Sequence, residues 1–216
     1  MNAIAVRLDL VAAQEAAWRH VTSPGASWSG VARAAIAETA IAVLDDTDPR
    51  PQWVSPTAAG RETPGDEILT DVVVDAVYRI ARQASSPTDG WYQAQLDRGL
   101  DPVAYVAAVD GFFRAAGLQR TPLPAAVVGE PHGQHPHVES ATLNWVPVAV
   151  PADRMAAVVQ GLSAAPQEWD NVARLHAAQY IPVDEMGELG WSRGTLNRSD
   201  MELVAARLSA ARECSY

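Results

Sequence analysis

The chain has 216 residues, with 16 basic against 26 acidic side chains and a formal charge of −10. That balance excludes nucleic-acid binding and attachment to anionic membranes as main activities, since both need a cationic face. Lysine is absent, which removes Schiff-base, pyridoxal phosphate and P-loop chemistry, and the single cysteine, Cys214, removes an intrachain disulfide framework and any all-cysteine metal site.

No run approaches ~18 consecutive apolar residues, and Arg7 and Asp9 interrupt the N-terminus where a signal peptide would be apolar. The expectation is a soluble, acidic, cytoplasmic protein, long enough for one large domain or two small ones. Residues 11–21 carry apolar side chains at helical spacing, and Ser23-Pro24-Gly25 stops them. A second Ala/Ile-rich helix, 31–44, is entered through Trp28-Ser29-Gly30 and ended by Asp45-Asp46-Thr47-Asp48-Pro49. Proline and glycine make 49–66 a loop. The strongest helical pattern is 66–84, where Ile68, Leu69, Val72, Val73, Ala76, Val77 and Ile80 share one face and Asp71, Asp75 and Arg79 the other. That helix is expected to be among the most buried elements. Shorter helices follow at 89–98, ended by Gly99, and at 102–116, opened by Pro102 and ended by Gly117.

The C-terminal part holds helices at 152–164, 168–180 and from Ser199 to roughly the chain end. Strand alternation beside hairpin signals is not evident. The fold class expected is all-α, in two helical halves: residues 1–120, a Pro/His-rich linker at 121–153, and residues 154–216.

Three constellations carry chemistry. His132, His135 and His137, flanked by Glu130 and Glu139, have ligand types and spacing for zinc or another divalent ion. The same stretch equally reads as a solvated Pro/Gly-rich loop with no rigid support for a metal. Seven tryptophans against two phenylalanines line either a ligand pocket or, more commonly, helix contacts and an oligomer interface.

The third is the C-terminal helix, Ser199-Asp200-Met201-Glu202 through Arg212-Glu213-Cys214-Ser215-Tyr216, in which eleven residues separate Glu202 from Cys214. It resembles the core motif of the alkylhydroperoxidase D / carboxymuconolactone decarboxylase superfamily: Glu, eleven residues, Cys, two residues, Cys, three residues, His. Asp170-Asn171-Val172-Ala173-Arg174-Leu175 followed by Tyr180-Ile181-Pro182 looks like the Asn-Val-x-Arg helix that precedes the catalytic helix there. Trp28-Ser29-Gly30 leading into Arg33–Ala37 looks like a degenerate first copy of the repeat, with Asp46 at the position of Cys214.

The resemblance implies a peroxidase or related thiol oxidoreductase in which a Cys-x-x-Cys pair reduces a peroxide and cycles through a disulfide. Glu202 would steer the proton and Cys214 would be one of the pair, with a thiol reductant as partner and no metal, flavin or haem cofactor. Oligomers are expected too, with Leu203, Ala206, Leu208 and Ala210 covered by a neighbouring subunit.

Position 217 is where the family places its second cysteine. A UGA triplet read as selenocysteine is one expectation there, beside an engineered chain end or a true pseudo-enzyme; it would suit the position because a selenol is ionised at neutral pH where a thiol of pKa ~8.5 mostly is not. A UGA at codon 217 with a histidine codon shortly downstream would support this; UAA or UAG would end it. The 216-residue form, with no second thiol of its own to resolve an oxidised Cys214, is not expected to turn over by itself.

Simpler roles stand beside these. Ser199 and Glu202 form a capping-box pattern, so Glu202 can merely satisfy helix-starting amides. A lone cysteine in an Ala-rich helix is commonly inert. The alternative function is a non-catalytic helical scaffold or small-molecule-binding protein.

Overall fold

The structure, a computed structural model, describes residues 6–44, 54, 57, 60, 65, 67–83, 87–107, 122–132, 139–140, 145–149 and 160–211. The described residues are mostly helical. In chain order they form α1 (Leu8–Val21), α2 (Gly30–Leu44), α3 (Asp71–Gln83), α4 (Asp89–Asp97), β1 (Glu139–Ser140), β2 (Pro147–Val148), α5 (Pro166–Gln179), a 3-10 turn (Val183–Glu185), β3 (Ser192–Arg193), β4 (Leu196–Asn197) and α6 (Arg198–Ala211). Residues 102–107 are also helical. The rest of the expected 102–116 helix and residues 152–159 of the expected 152–164 helix lie outside the described residues, while residues 161–164 form turns rather than the end of that helix. The four strands form two separate antiparallel pairs, Glu139 opposite Val148 and Ser192 opposite Asn197.

The chain groups into two compact units, residues 14–172 and residues 1–13 with 173–216. Within the larger unit α2 is the central helix. Its alanines bring neighbouring helices close, and Ala35, Ile36 and Ala40 pack with Val73, Ala76, Val77 and Ile80 of α3 into one apolar core. On another side, Ala37 packs with Trp18 and Val21 of α1, and Leu123 leans on that cluster. Two of the tryptophans serve as anchors. Trp18 Nε1 donates to the Pro122 carbonyl at 2.8 Å and Trp28 Nε1 to that of Ala104 at 2.9 Å.

Residues 122–132 run without helix or strand along the α1–α2 connection. The Val127 amide donates to the Thr22 carbonyl and the His132 amide to the Gly25 carbonyl, each at 2.9 Å. Gly30 makes this approach feasible, because a Cβ there would lie 2.1 Å from the Val127 oxygen and 2.7 Å from that of Thr22.

The helix expected over 66–84 is shorter than its apolar pattern. Ile68 and Leu69 donate instead to the Gly65 carbonyl in a separate turn, and the ladder of α3 starts from the Thr70 carbonyl. Ile68, counted on the apolar face, is half exposed at 50%. A second correction concerns Asp75, placed on the polar face. It is buried at 4% exposure. Thr57 donates to it through its hydroxyl at 2.7 Å, and Arg98 through Nη2 at 3.0 Å. A buried carboxylate with such donors replaces its lost hydration, so α3 is enclosed on nearly every side. At α4 the boundary follows local chemistry: Thr88 Oγ1 accepts from the Trp91 amide at 3.2 Å as the N-cap.

In the smaller unit the end of α5 is closed by arginines. Arg7 donates to the Ala178 carbonyl at 2.7 Å, and Arg193 donates to the carbonyls of Ala177 and Tyr180. Cations there satisfy the unpaired carbonyls and complement the helix dipole. Few apolar residues of this unit are enclosed: among those described, Ala178, Ile181 and Met201 are buried. No helix among the described residues is long and apolar enough to cross a membrane.

Candidate functional site

Glu202 lies in the first half of α6, and its carboxylate is held from two sides. Arg198, one turn earlier, donates from Nε at 2.6 Å, while its Nη1 donates to the Met186 carbonyl at 3.1 Å. The hydroxyl of Tyr180, just past the end of α5, supplies a second hydrogen bond. The bonds from Tyr180 and Arg198 hold the Glu202 carboxyl below its ordinary range. Tyr180 responds in the opposite sense: burial first, then the carboxylate accepting its proton, push the phenol up to about 12. Its ring meets the edge of the His176 imidazole, with centroids 5.5 Å apart. His176 is itself fixed, since Nδ1–H donates to the Ile181 carbonyl at 2.8 Å.

The capping-box role does not apply to Glu202. The helix is capped by Asn197, whose Oδ1 accepts from the Asp200 amide at 2.9 Å, because α6 begins two residues earlier than the Ser199 capping pattern implies. Glu202 remains accessible, with 47% of its side chain exposed. The helix continues through Ala211, nine residues beyond Glu202 and about 14 Å along the axis. Cys214 lies outside the described residues.

Of the histidine trio, His132 is exposed, and its backbone amide is bound to Gly25. His135 and His137 lie outside the described residues. Among the described residues no three His, Cys, Asp or Glu side chains are grouped as metal ligands would be.

The larger unit contains an ionic cluster that no local pattern of residues announces. Glu168, near the start of α5, is fully buried at 0% exposure, and Arg33 of α2 is buried at 3%. Arg33 grips both carboxylate oxygens, one of them Oε2 through Nη2 at 3.1 Å, and its Nε reaches the Val21 carbonyl at 3.3 Å. His20, at the end of α1, lies 2.8 Å from Glu168 Oε2 through Nε2. An ionised carboxylate only accepts, so Nε2 carries the proton. Burial alone would push the Glu168 carboxyl up. The hydrogen bond from His20 and the charge and hydrogen bonds of Arg33 outweigh it and hold the group far below the usual carboxylate range. Gly25 closes the cluster: a Cβ there would sit 2.6 Å from Arg33 Nη1 and 2.7 Å from Glu168 Oε1.

No family model, curated protein or solved structure matches this chain.

Proposed function

We propose that this chain acts as a thiol-dependent peroxidase-type oxidoreductase of the alkylhydroperoxidase D kind, with Cys214 as the reacting thiol and Glu202 as the fixed carboxylate of its proton relay. The observation that carries the reading is the setting of Glu202: exposed, kept ionised by Tyr180 and Arg198, and separated by eleven residues from the chain's single cysteine. A carboxylate below its ordinary range is a poor final acceptor for a thiol proton. It serves instead as a permanent negative partner that orients the group carrying that proton.

The Cys214 thiolate attacks the terminal oxygen of a hydroperoxide. The S–O bond forms as the O–O bond breaks, the leaving alkoxide takes up a proton to become an alcohol, and the cysteine is oxidised to sulfenic acid. A reductant thiol then condenses with the sulfenic acid, releasing water. A second thiol exchanges with the mixed disulfide and returns Cys214. A helix dipole or neighbouring cation at the cysteine would raise its thiolate fraction.

The test is the rate of Cys214 oxidation by hydrogen peroxide and an alkyl hydroperoxide, with dimedone trapping the sulfenic acid and dithiothreitol completing the cycle. Cys214→Ser should abolish peroxide consumption above the reductant's own background, and Glu202→Gln should slow oxidation on the order of 10–100-fold. Oxidation no faster than that of free cysteine, or equal consumption by the Cys214→Ser protein, would overturn the reading in favour of a non-catalytic helical scaffold.

A further inference from the structure

The outer face of α6 has a pattern that the peroxidase reading does not use. The enclosed positions of the helix recur every four residues, with Met201 buried and Ala205 and Ser209 half-buried. The opposite side presents Asp200, Leu203, Val204 and Arg207, all exposed, at the i, i+3, i+4, i+7 spacing of a single helical stripe. Leu203 and Val204 are 59% and 58% exposed. Neither Asp200 nor Arg207 makes an ion pair among the described residues.

The order of this stripe is the same read from either end with its charges exchanged: acid, two branched apolar residues, base. Turning a second helix end for end about the point between Leu203 and Val204 places Asp200 opposite the second copy's Arg207, and Arg207 opposite its Asp200. Leu203 and Val204 then meet their counterparts across the axis. A two-fold interface requires this reciprocity, residue i meeting j and j meeting i. A parallel alignment would set acid against acid and base against base. We propose that this face is a homodimer contact, in which α6 pairs antiparallel with α6 of a second copy about a two-fold axis between Leu203 and Val204.

The apolar pair supplies the attraction, and the flanking charges choose direction and register. Glu202 faces Tyr180 and Arg198 and is not part of the stripe. A single pair of 14-residue helices buries less than the ~1,200 Å² of a standard interface, so the dimer belongs to the concentration-dependent class.

The experiment is sedimentation equilibrium of the full chain over roughly 1–200 µM, with reductant present so that Cys214 cannot crosslink copies, and with helicity checked by circular dichroism. The wild type should show a monomer–dimer equilibrium, and Leu203→Glu should abolish it. Asp200→Arg or Arg207→Asp alone should each weaken it roughly tenfold, because each change sets two like-charge pairs in every dimer. The double charge exchange should restore the wild-type constant, since it keeps the reciprocal pattern. A monomer throughout the range would overturn the proposal. So would a dimer indifferent to Leu203→Glu, or a double exchange no better than the single ones. None of these readings depends on peroxide activity, so the two proposals fail separately.

Discussion

Replacing Glu168 by glutamine tests whether the buried ionic cluster holds α1, α2 and α5 together. The substitution keeps size and shape but removes the charge, leaving the Arg33 guanidinium, 3% exposed, without its counter-ion and facing an amide that can donate as well as accept. Breaking a buried pair on one side costs about 3–5 kcal/mol, because the remaining charge stays desolvated. For a protein of this size each kcal/mol moves the melting temperature by about 2–4 °C, so a fall of roughly 6–20 °C is expected. Urea unfolding followed by tryptophan fluorescence and far-ultraviolet circular dichroism measures the loss, with an unchanged slope as the control for two-state behaviour. Replacing Arg33 by methionine in the same protein should recover a large part of it, since no orphaned charge is left.

The pH dependence gives an independent check of sign. The folded-state pKa of Glu168 is depressed, so its stabilisation is present above the unfolded carboxyl value of about 4.3 and is lost as pH falls towards the folded value. The gap between wild type and Glu168→Gln should therefore be widest near neutrality and shrink on acidification. A variant within about 1 kcal/mol of wild type at pH 7, or a gap that widens in acid, would refute the reasoning.

Gly25→Ala should destabilise by about 1–3 kcal/mol, as its Cβ would press to 2.6 Å from Arg33 Nη1; thermal melts should show the loss, and an unchanged melting temperature would mean that the cluster yields freely. Tyr92→Phe should be neutral or stabilising by about 1 kcal/mol, because the buried Tyr92 hydroxyl has no hydrogen-bond partner among the described residues; a clear loss in urea unfolding would mean that the hydroxyl is satisfied. Tyr180→Phe should raise the Glu202 pKa towards the ordinary carboxylate range by removing the phenol's hydrogen bond; carbon-13 NMR titration of the Glu202 carboxyl reads this directly, and an unmoved titration would remove Tyr180 from the site.

Much of the helical content and many of the helix ends follow from the amino-acid sequence alone, because periodicity and capping are local. Gly30 and Leu44 bound α2 within a residue of the alanine-rich pattern, and Thr88 stops the chain before α4 through a bond only three residues long. The sequence also sets out the Glu202–Cys214 spacing and the charge-reciprocal stripe of α6, each contained in one short stretch. Which charges leave water depends on how the helices pack. Asp75 shares a helical stripe with Asp71 and Arg79, and pattern alone makes it solvent-facing, yet Thr57 and Arg98 enclose it. Arg33 and Glu168 are 135 residues apart, and nothing near either marks it as paired. Glu202 reads as a cap until Tyr180, just past the end of α5, is brought against it. Hydrophobic pattern is additive along the chain, whereas the state of a charged group depends on the donors and the dielectric around it, which packing alone assembles.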